Sequence, residues 1–280
     1  MISVLAGFAT AVCFAVGMVA AAQASRVARA SQVVALSALI SSIFVFPWAL
    51  SEGMPDLESG QVALMLISGV GNVFGFLFVY TALRYGKIGL VAPIVATEGG
   101  IAAVMAAIIG NSVEPLVAFL LAIIVIGIVI GARSHDPAPF AGERPALAAT
   151  LAVVGALFFA SGLLTVGLLS GEIPLAWVLM PARIVGLVVL VIPLAIAGRL
   201  RVPRQVLAWI ILLAIVDVVA IGIYMVGAAV NLPVTAVLAS QMAPLAALMA
   251  FVLFRERLGR GQIAGLVLMV AGMTALGALQ

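Results

Sequence analysis

The chain has 280 residues, of which 66% are apolar and only 8% are charged. This mixture leaves too little polar surface to cover a water-soluble globule of that length, so we expect an integral membrane protein. The net charge of +3 comes from thinly spread basic residues with no Lys/Arg-rich run, which argues against nucleic acid as a partner. A single cysteine, Cys13, excludes an internal disulfide framework and a metal site built on cysteine.

The apolar segments predict ten membrane-spanning helices, because a spanning helix needs about 20 mainly apolar residues. Short connections join most of them, so neighbouring helices must run antiparallel. The predicted helices cover approximately residues 2–24, 31–50, 61–83, 88–109, 115–132, 146–169, 174–197, 205–229, 233–254 and 261–279.

An internal repeat divides the chain at a polar, proline-rich linker over residues 131–145. Residues 11–17 resemble 156–162, and residues 91–98 resemble 234–241. We therefore predict two domains, 1–138 and 139–280, each a five-helix repeat. Because five is an odd number, the second repeat enters the membrane upside down, with a pseudo-two-fold axis in the membrane plane. The predicted fold class is an all-α integral membrane protein of ten transmembrane helices in two inverted five-helix repeats.

The basic residues predict the orientation in the membrane. Twelve of the thirteen Lys and Arg residues lie in or beside alternate connections, and the other connections carry acidic residues or no charge. If the basic side is cytoplasmic, an even number of helices places both termini on the non-cytoplasmic side.

Three ionisable side chains fall well inside predicted helices. Glu98 is central in helix 4, Asp217 is central in helix 8, and Arg183 lies about nine residues into helix 7. A charge at membrane depth costs roughly 2.5 to 3.5 kcal/mol on insertion scales, so such groups face a water-filled cavity or a partner. Two interpretations remain open for them: a functional cavity, or structural ion pairs. Arg183 could simply orient helix 7.

Other polar residues extend this pattern. Asp217 and Tyr224 are seven residues apart and share one stripe of helix 8. Pro93 in helix 4 and Pro244 in helix 9 free backbone carbonyls for a ligand or bend the helices around a cavity. The candidate residues for substrate binding or coupling are Glu98, Asp217, Tyr80, Tyr224, Gln241, Asn72, Ser240, Thr97 and Ser161.

The sequence lacks the common enzyme signatures, including HExxH, a phosphate-binding Gly-Lys-Ser/Thr loop and a Gly-x-Ser-x-Gly elbow. We therefore expect neither catalysis nor a cofactor nor a bound metal. Small-xxx-small patterns at 127–131 in helix 5 and 261–265 in helix 10 predict close helix packing in a scaffold or in self-association. The expected assembly is a monomer or a weak homodimer.

The segment Phe-Arg-Glu-Arg-Leu over residues 254–258 follows helix 9 and precedes a glycine-rich helix 10. With the ten helices and the inverted halves, it resembles the drug/metabolite transporter superfamily, and more narrowly the EamA-type exporters, which include amino-acid exporters. The first half departs from the motif and has Ile-Gly-Asn-Ser-Val over residues 109–113.

The resemblance implies a bacterial inner (plasma) membrane protein that works by alternating access. It also implies a central cavity bounded chiefly by helices 1, 3, 4, 6, 8 and 9, with Glu98, Tyr80, Asp217 and Gln241 near it. Many family members have a cytoplasmic N-terminus, whereas the basic residues here predict the opposite.

The leading functional hypothesis is an exporter of small metabolites, most of all amino acids and related amphipathic compounds. Glu98 and Asp217 would bind a substrate ammonium or a coupling proton, which requires a carboxylate with a pKa raised by burial. An exchanger for phosphorylated sugars or nucleotide sugars is an alternative, but it needs cationic groups, and only Arg183 is available. A second alternative is a membrane scaffold or passive facilitator with ion-paired buried charges.

Overall fold

The computed structural model describes residues 1–98, 101–102, 105, 108, 115–133, 141–169, 172–239, 241–256 and 258–278. Within these ranges every regular element is helical, which confirms the all-α prediction. The elements are α1 Ile2–Val27, α2 Ala30–Ser51, α3 Ser59–Tyr85, α4 Ile88–Val95, α5 Pro115–Arg133, α6 Pro145–Leu168, α7 Leu175–Gly186, a π-helical turn Leu187–Val191, α8 Ile192–Ile196, α9 Arg204–Ala239, α10 Met242–Phe254 and α11 Arg260–Ala278.

Six stretches of the described chain are helical, long and apolar enough to cross a membrane. They are Ile2–Val27, Ala30–Ser51, Ser59–Tyr85, Pro145–Val166, Leu175–Ile196 and Arg204–Gly227, and Met242–Phe254 and Arg260–Gly272 are shorter apolar helices. The protein is therefore a multi-pass membrane protein. The count of ten spanning helices is compatible with this arrangement and stays a prediction.

The predicted helices 4 and 9 are both interrupted, and this corrects the prediction that each is continuous. α4 ends at Val95, and the Thr97 backbone N–H bonds back to the Ile94 carbonyl at 3.1 Å, three residues earlier. The Thr97 hydroxyl donates to the same carbonyl at 2.6 Å, so side chain and backbone share one acceptor. The chain then resumes helical bonding from Ile101 N–H to the Thr97 carbonyl.

The second interruption has the same hydrogen-bond pattern. Gln241 N–H bonds to the Leu238 carbonyl at 3.1 Å, and Leu245 N–H bonds to the Gln241 carbonyl at 3.4 Å. In this hydrogen-bond pattern, Gln241 takes the part that Thr97 takes at the first interruption. The sequence match of residues 91–98 to 234–241 instead aligns Gln241 with Glu98. The alignment by hydrogen bonds and the alignment by sequence therefore differ by one residue.

α9 contains a reversal of direction near its end. Backbone bonding assigns Arg204–Ala239 to one helix of 36 residues, yet a Cβ on Gly227 would lie 2.8 Å from the Thr235 side chain. Eight residues of straight helix would separate them by about 12 Å. The chain therefore folds back between Gly227 and Thr235, where the sequence predicts the turn between helices 8 and 9.

The π-helical turn Leu187–Val191 precedes Pro193 in the predicted helix 7. Such a turn inserts one residue into a helix, and proline lacks the N–H that would continue normal bonding. An insertion of one residue matches the rise in the offset of the predicted repeat, from 145 residues between Ala11 and Ala156 to 146 between Pro47 and Pro193.

The most extensive helix contacts join residues before the linker to residues after it. α1 packs along α9 and α3 packs along α6. Glycines allow the second contact, because a Cβ on Gly71 would lie 2.6 Å from the Phe158 carbonyl oxygen. The two predicted small-xxx-small helices also pack on each other, with a Cβ on Gly127 coming within 2.9 Å of the Gly265 carbonyl oxygen. These glycines therefore serve packing within the chain.

Candidate functional site

A polar cleft lies between α2, α3, α7 and α9. It encloses about 380 Å³ of space free of protein atoms, a figure that includes its open mouth. Two of the four helices precede the linker and two follow it. The lining residues are Val34, Ser37, Ala38, Ser41, Asn72, Val73, Phe76, Tyr80, Ala182, Arg183, Leu213, Ala214 and Asp217.

An ion pair forms the charged part of this cleft. Arg183 Nη2 on α7 donates to Asp217 Oδ2 on α9 at 2.9 Å. The two side chains differ in burial, because 5% of Arg183 and 21% of Asp217 is exposed. Arg183 Nε is buried and has no hydrogen-bond partner within the described residues. The cation is therefore deep in the protein, while its anionic partner is accessible from the cleft.

Neutral polar groups and an apolar wall complete the lining. The Ser37 hydroxyl donates to the Val34 carbonyl at 3.0 Å, and the Ser41 hydroxyl donates to the Ala38 carbonyl at 3.2 Å. Each hydroxyl oxygen keeps its acceptor capacity after that bond. Phe76 packs against Tyr80, with ring centroids 5.2 Å apart, so the lining combines polar and aromatic groups.

The structure brings three of the nine candidate residues into this cleft: Asn72, Tyr80 and Asp217. Asn72 and Asp217 occupy nearly equivalent positions of the predicted repeat. In that alignment the first half has an amide where the second half has a carboxylate.

The other candidates lie elsewhere or outside the described residues. Thr97 and Ser161 donate their hydroxyls to carbonyls of their own helices. Gln241 Nε2 donates to Thr274 Oγ1 at 3.3 Å. Glu98 and Tyr224 are partly buried, and neither is among the described residues that line the cleft. Ser240 lies outside the described residues.

The lining helices differ from those that the family resemblance implies. Predicted helices 2 and 7 supply cleft residues, whereas the implied central cavity uses helices 1, 3, 4, 6, 8 and 9. Arg183, for which the sequence leaves open a cavity role or a structural one, lines the cleft together with Ser37 and Ser41, which sequence reasoning missed. Their spacing of four residues on α2 is the signal that could have identified one polar face.

A second ion pair joins three separate segments at the basic end of the bundle. Arg26 Nη2 at the end of α1 donates to Glu256 Oε1 at 2.6 Å. Glu256 Oε2 accepts the backbone N–H of Ile88 at 3.1 Å and so caps the start of α4. Leu258 packs on Gly89, where a Cβ would meet Leu258 Cδ1 at 2.7 Å. The Glu-Arg-Leu segment therefore contributes at least two side chains to structural contacts.

At the acidic end, two hydrogen bonds again join residues from before and after the linker. Gln61 Nε2 donates to Glu172 Oε2 at 2.9 Å, and both groups are exposed. Trp177 Nε1 donates to the Gly53 carbonyl at 2.7 Å. Contacts between residues before the linker and residues after it therefore lie at both ends of the helix bundle that contains the cleft.

Comparisons with known proteins agree with this architecture. A solved protein crystal structure has a TM-score of 0.59 with 16% sequence identity, over 99% of this chain and 96% of the other. This likeness shows the fold alone. No curated protein matches the chain significantly. The model of the EamA-like transporter family matches residues 1–132, so the first half of this multi-pass membrane protein is similar to a family of transporters.

Proposed function

We propose that the protein is a secondary transporter that exports small metabolites, amino acids and related amphipathic compounds first among them, by alternating access. The observation that carries this proposal is the cleft between two helices from each half, with an ion pair beside an aromatic wall. A mixed polar and apolar cleft suits an amphipathic solute. The match of residues 1–132 to a transporter family favours transport over a scaffold role.

Two inverted repeats would provide the moving parts of such a transporter. The helix contacts support this interpretation, because they come in equivalent pairs. Predicted helix 1 contacts predicted helices 8 and 9, and predicted helix 6 contacts predicted helices 3 and 4. Predicted helices 2 and 7, 4 and 9, and 5 and 10 also contact each other. A two-fold relation between residues 1–138 and 139–280 would produce this set of contacts.

The interruptions at Thr97 and Gln241 support the same mechanism. Each is a point where helical bonding tightens from four residues to three and then resumes. Non-helical backbone at membrane depth is tolerated where it is buried in protein or lines a cavity. Equivalent interruptions in both halves would let the two halves bend in turn.

The proposal is tested by counterflow in liposomes that contain the purified protein. A screen of amino acids, small cationic drugs and phosphorylated sugars should show uptake of one or more amphipathic amino compounds above protein-free liposomes. Preference for phosphorylated sugars would favour the exchanger alternative. Flux that does not saturate with any solute would favour the passive facilitator, and absence of flux would favour the scaffold.

Glu98 is our proposed coupling residue, because it follows the α4 interruption directly and is partly buried. Glu98→Gln should retain counterflow but lose the dependence of net transport on a pH gradient. Glu52→Gln is the control, since Glu52 is exposed at the end of α2. Wild-type transport that ignores a pH gradient would reject proton coupling.

The proposed orientation places both termini outside the cytoplasm. Phosphatase fused to the C-terminus in a bacterial host should be active. A fluorescent protein that folds only in the cytoplasm should stay dark at the same position, and bright fluorescence would reverse the orientation.

A further inference from the structure

The Arg183–Asp217 pair has unused binding capacity on both members. Arg183 presents five N–H donors, and its buried Nε has no partner within the described residues. Asp217 accepts from Arg183 through Oδ2, and 21% of its side chain is exposed. The Asp217 carboxylate therefore accepts fewer hydrogen bonds than the Glu256 carboxylate, both of whose oxygens accept them.

The surroundings offer further partners for a ligand. The Asn72 side chain and the Tyr80 hydroxyl line the cleft, and neither makes a hydrogen bond within the described residues. Ser37 uses its proton on the Val34 carbonyl, so its oxygen faces a ligand only as an acceptor. An ammonium group would fit such acceptors, and an apolar substituent would fit apolar residues of the lining, among them Val73, Phe76 and Leu213.

Charge balance decides which ligand can open the pair. A ligand with only a negative charge that binds Arg183 would leave Asp217 without its counter-ion. A ligand with only a positive charge that binds Asp217 would leave the buried Arg183 without its counter-ion. Leaving one partner of a buried pair uncompensated is strongly unfavourable. A zwitterion exchanges one internal contact for two external ones and leaves the cleft neutral.

We propose that this cleft is a zwitterion site, in which Arg183 binds a ligand carboxylate and Asp217 binds the ligand ammonium as their own contact opens. This inference rests on the proposed transport function and names the pair that determines its specificity. The guanidinium fork matches a carboxylate in a two-point geometry. Asn72, Tyr80 and Ser37 then provide the neutral contacts around the two charges.

The test compares three solutes of one carbon skeleton: leucine, isopentylamine, which lacks the carboxylate, and 4-methylpentanoate, which lacks the ammonium. Binding is measured by displacement of radiolabelled leucine from purified protein. Wild-type protein should bind leucine at least tenfold tighter than either analogue. Equal affinity for leucine and one analogue, or no binding of leucine, would overturn the proposal.

Two single variants assign the charges. Arg183→Gln should lose at least tenfold in leucine affinity and lose the discrimination against isopentylamine. Asp217→Asn should also lose leucine affinity but should come to prefer 4-methylpentanoate, because its Arg183 lacks a counter-ion. Arg29→Gln, on the basic connection after α1, is the control for removal of a positive charge and should bind like the wild type.

The double variant Arg183→Gln with Asp217→Asn keeps the test decisive if a single variant fails to fold. It removes both charges together and should fold, yet bind leucine no tighter than the analogues. Retained leucine selectivity in the double variant would overturn the zwitterion site. If the counterflow screen shows transport of another solute while these selectivities are absent, the inference fails and the proposed transport function stands.

Discussion

Two ion pairs among the described residues are buried in opposite senses. In the Arg26–Glu256 pair, 24% of the cation and 8% of the anion is exposed. In the Arg183–Asp217 pair, 5% of the cation and 21% of the anion is exposed. Both oxygens of Glu256 accept hydrogen bonds, from Arg26 and from the Ile88 N–H, whereas Asp217 accepts from Arg183 through Oδ2.

The difference distinguishes a structural pair from the pair that we propose as a ligand site. Both oxygens of Glu256 accept hydrogen bonds from other segments, and this carboxylate is nearly buried. Asp217 accepts one hydrogen bond within the described residues and is more exposed, so its carboxylate is accessible to a ligand donor. Two pairs of similar chemical groups therefore differ in the burial and the hydrogen bonding of their carboxylates.

The largest effect on stability is expected from Asp217→Asn. The change leaves the buried Arg183 without a counter-ion, so the free energy of unfolding should fall by about 3 kcal/mol. Arg183→Gln should lower the free energy of unfolding by less, because the Asp217 carboxylate that it leaves unpaired is more exposed than the Arg183 guanidinium. Denaturant titration in detergent micelles measures both, and a larger loss for Arg183→Gln would contradict the burial argument.

Glu256→Ala should have the next largest effect, about 2 kcal/mol, because it removes the acceptors of both Arg26 and the Ile88 N–H. Glu256→Gln should retain part of this stability, since its carbonyl can still accept one of the two bonds. Glu52→Ala serves as the exposed control in the same denaturant titration. Equal losses for the Ala and Gln variants would show that only charge matters at this position.

Gly71→Ala should cost about 1.5 kcal/mol by overpacking the α3–α6 contact that holds the cleft, while both ion pairs stay chemically intact. A Cβ there would lie 2.6 Å from the Phe158 carbonyl oxygen, and a backbone atom cannot rotate away. Gly222→Ala is the control, because its Cβ would meet nothing within 4 Å. The thermal unfolding midpoint of Gly71→Ala should be lower than that of Gly222→Ala. Identical midpoints would show that the contact between α3 and α6 can accommodate the added methyl group.

Glu172→Gln should change the free energy of unfolding by only a few tenths of a kcal/mol. Its bond to Gln61 is exposed, and the amide oxygen of the new side chain can accept the same hydrogen. Thermal unfolding measured for Glu172→Gln and Glu256→Gln compares the loss of stability at an exposed and at a buried carboxylate. A loss as large as that of the buried variant would mean that exposure does not set the strength of these contacts.

The sequence predicted the features that depend on composition and local pattern. The apolar segments indicated the helices, and the all-α class is confirmed. The reversal between Gly227 and Thr235 falls at the predicted turn. Three of the nine candidate residues, Asn72, Tyr80 and Asp217, line the cleft. The sequence could identify them because they are polar at depths where lipid-facing residues are apolar.

What the sequence could not predict depends on packing between distant helices. Arg183 and Asp217 are 34 residues apart, and only the placement of α7 beside α9 brings them into contact. The serines of α2 gave a weak signal, because a hydroxyl in an apolar helix commonly bonds to its own backbone, as Ser37 does. The interruption after α4 gave no clear signal either, because the local sequence does not show that the Thr97 hydroxyl and backbone N–H donate to the Ile94 carbonyl.

The packing of α1 on α9 and α3 on α6 has a consequence for biosynthesis. The most extensive contacts of the first half are made with residues that the ribosome adds only after the linker. At typical rates of translation, the second half takes roughly ten seconds or more to synthesise. During that interval α1 and α3 lie in the bilayer with lipid where their partners will be. The nascent first half is therefore an assembly intermediate whose glycine-lined faces are open to any neighbouring helix.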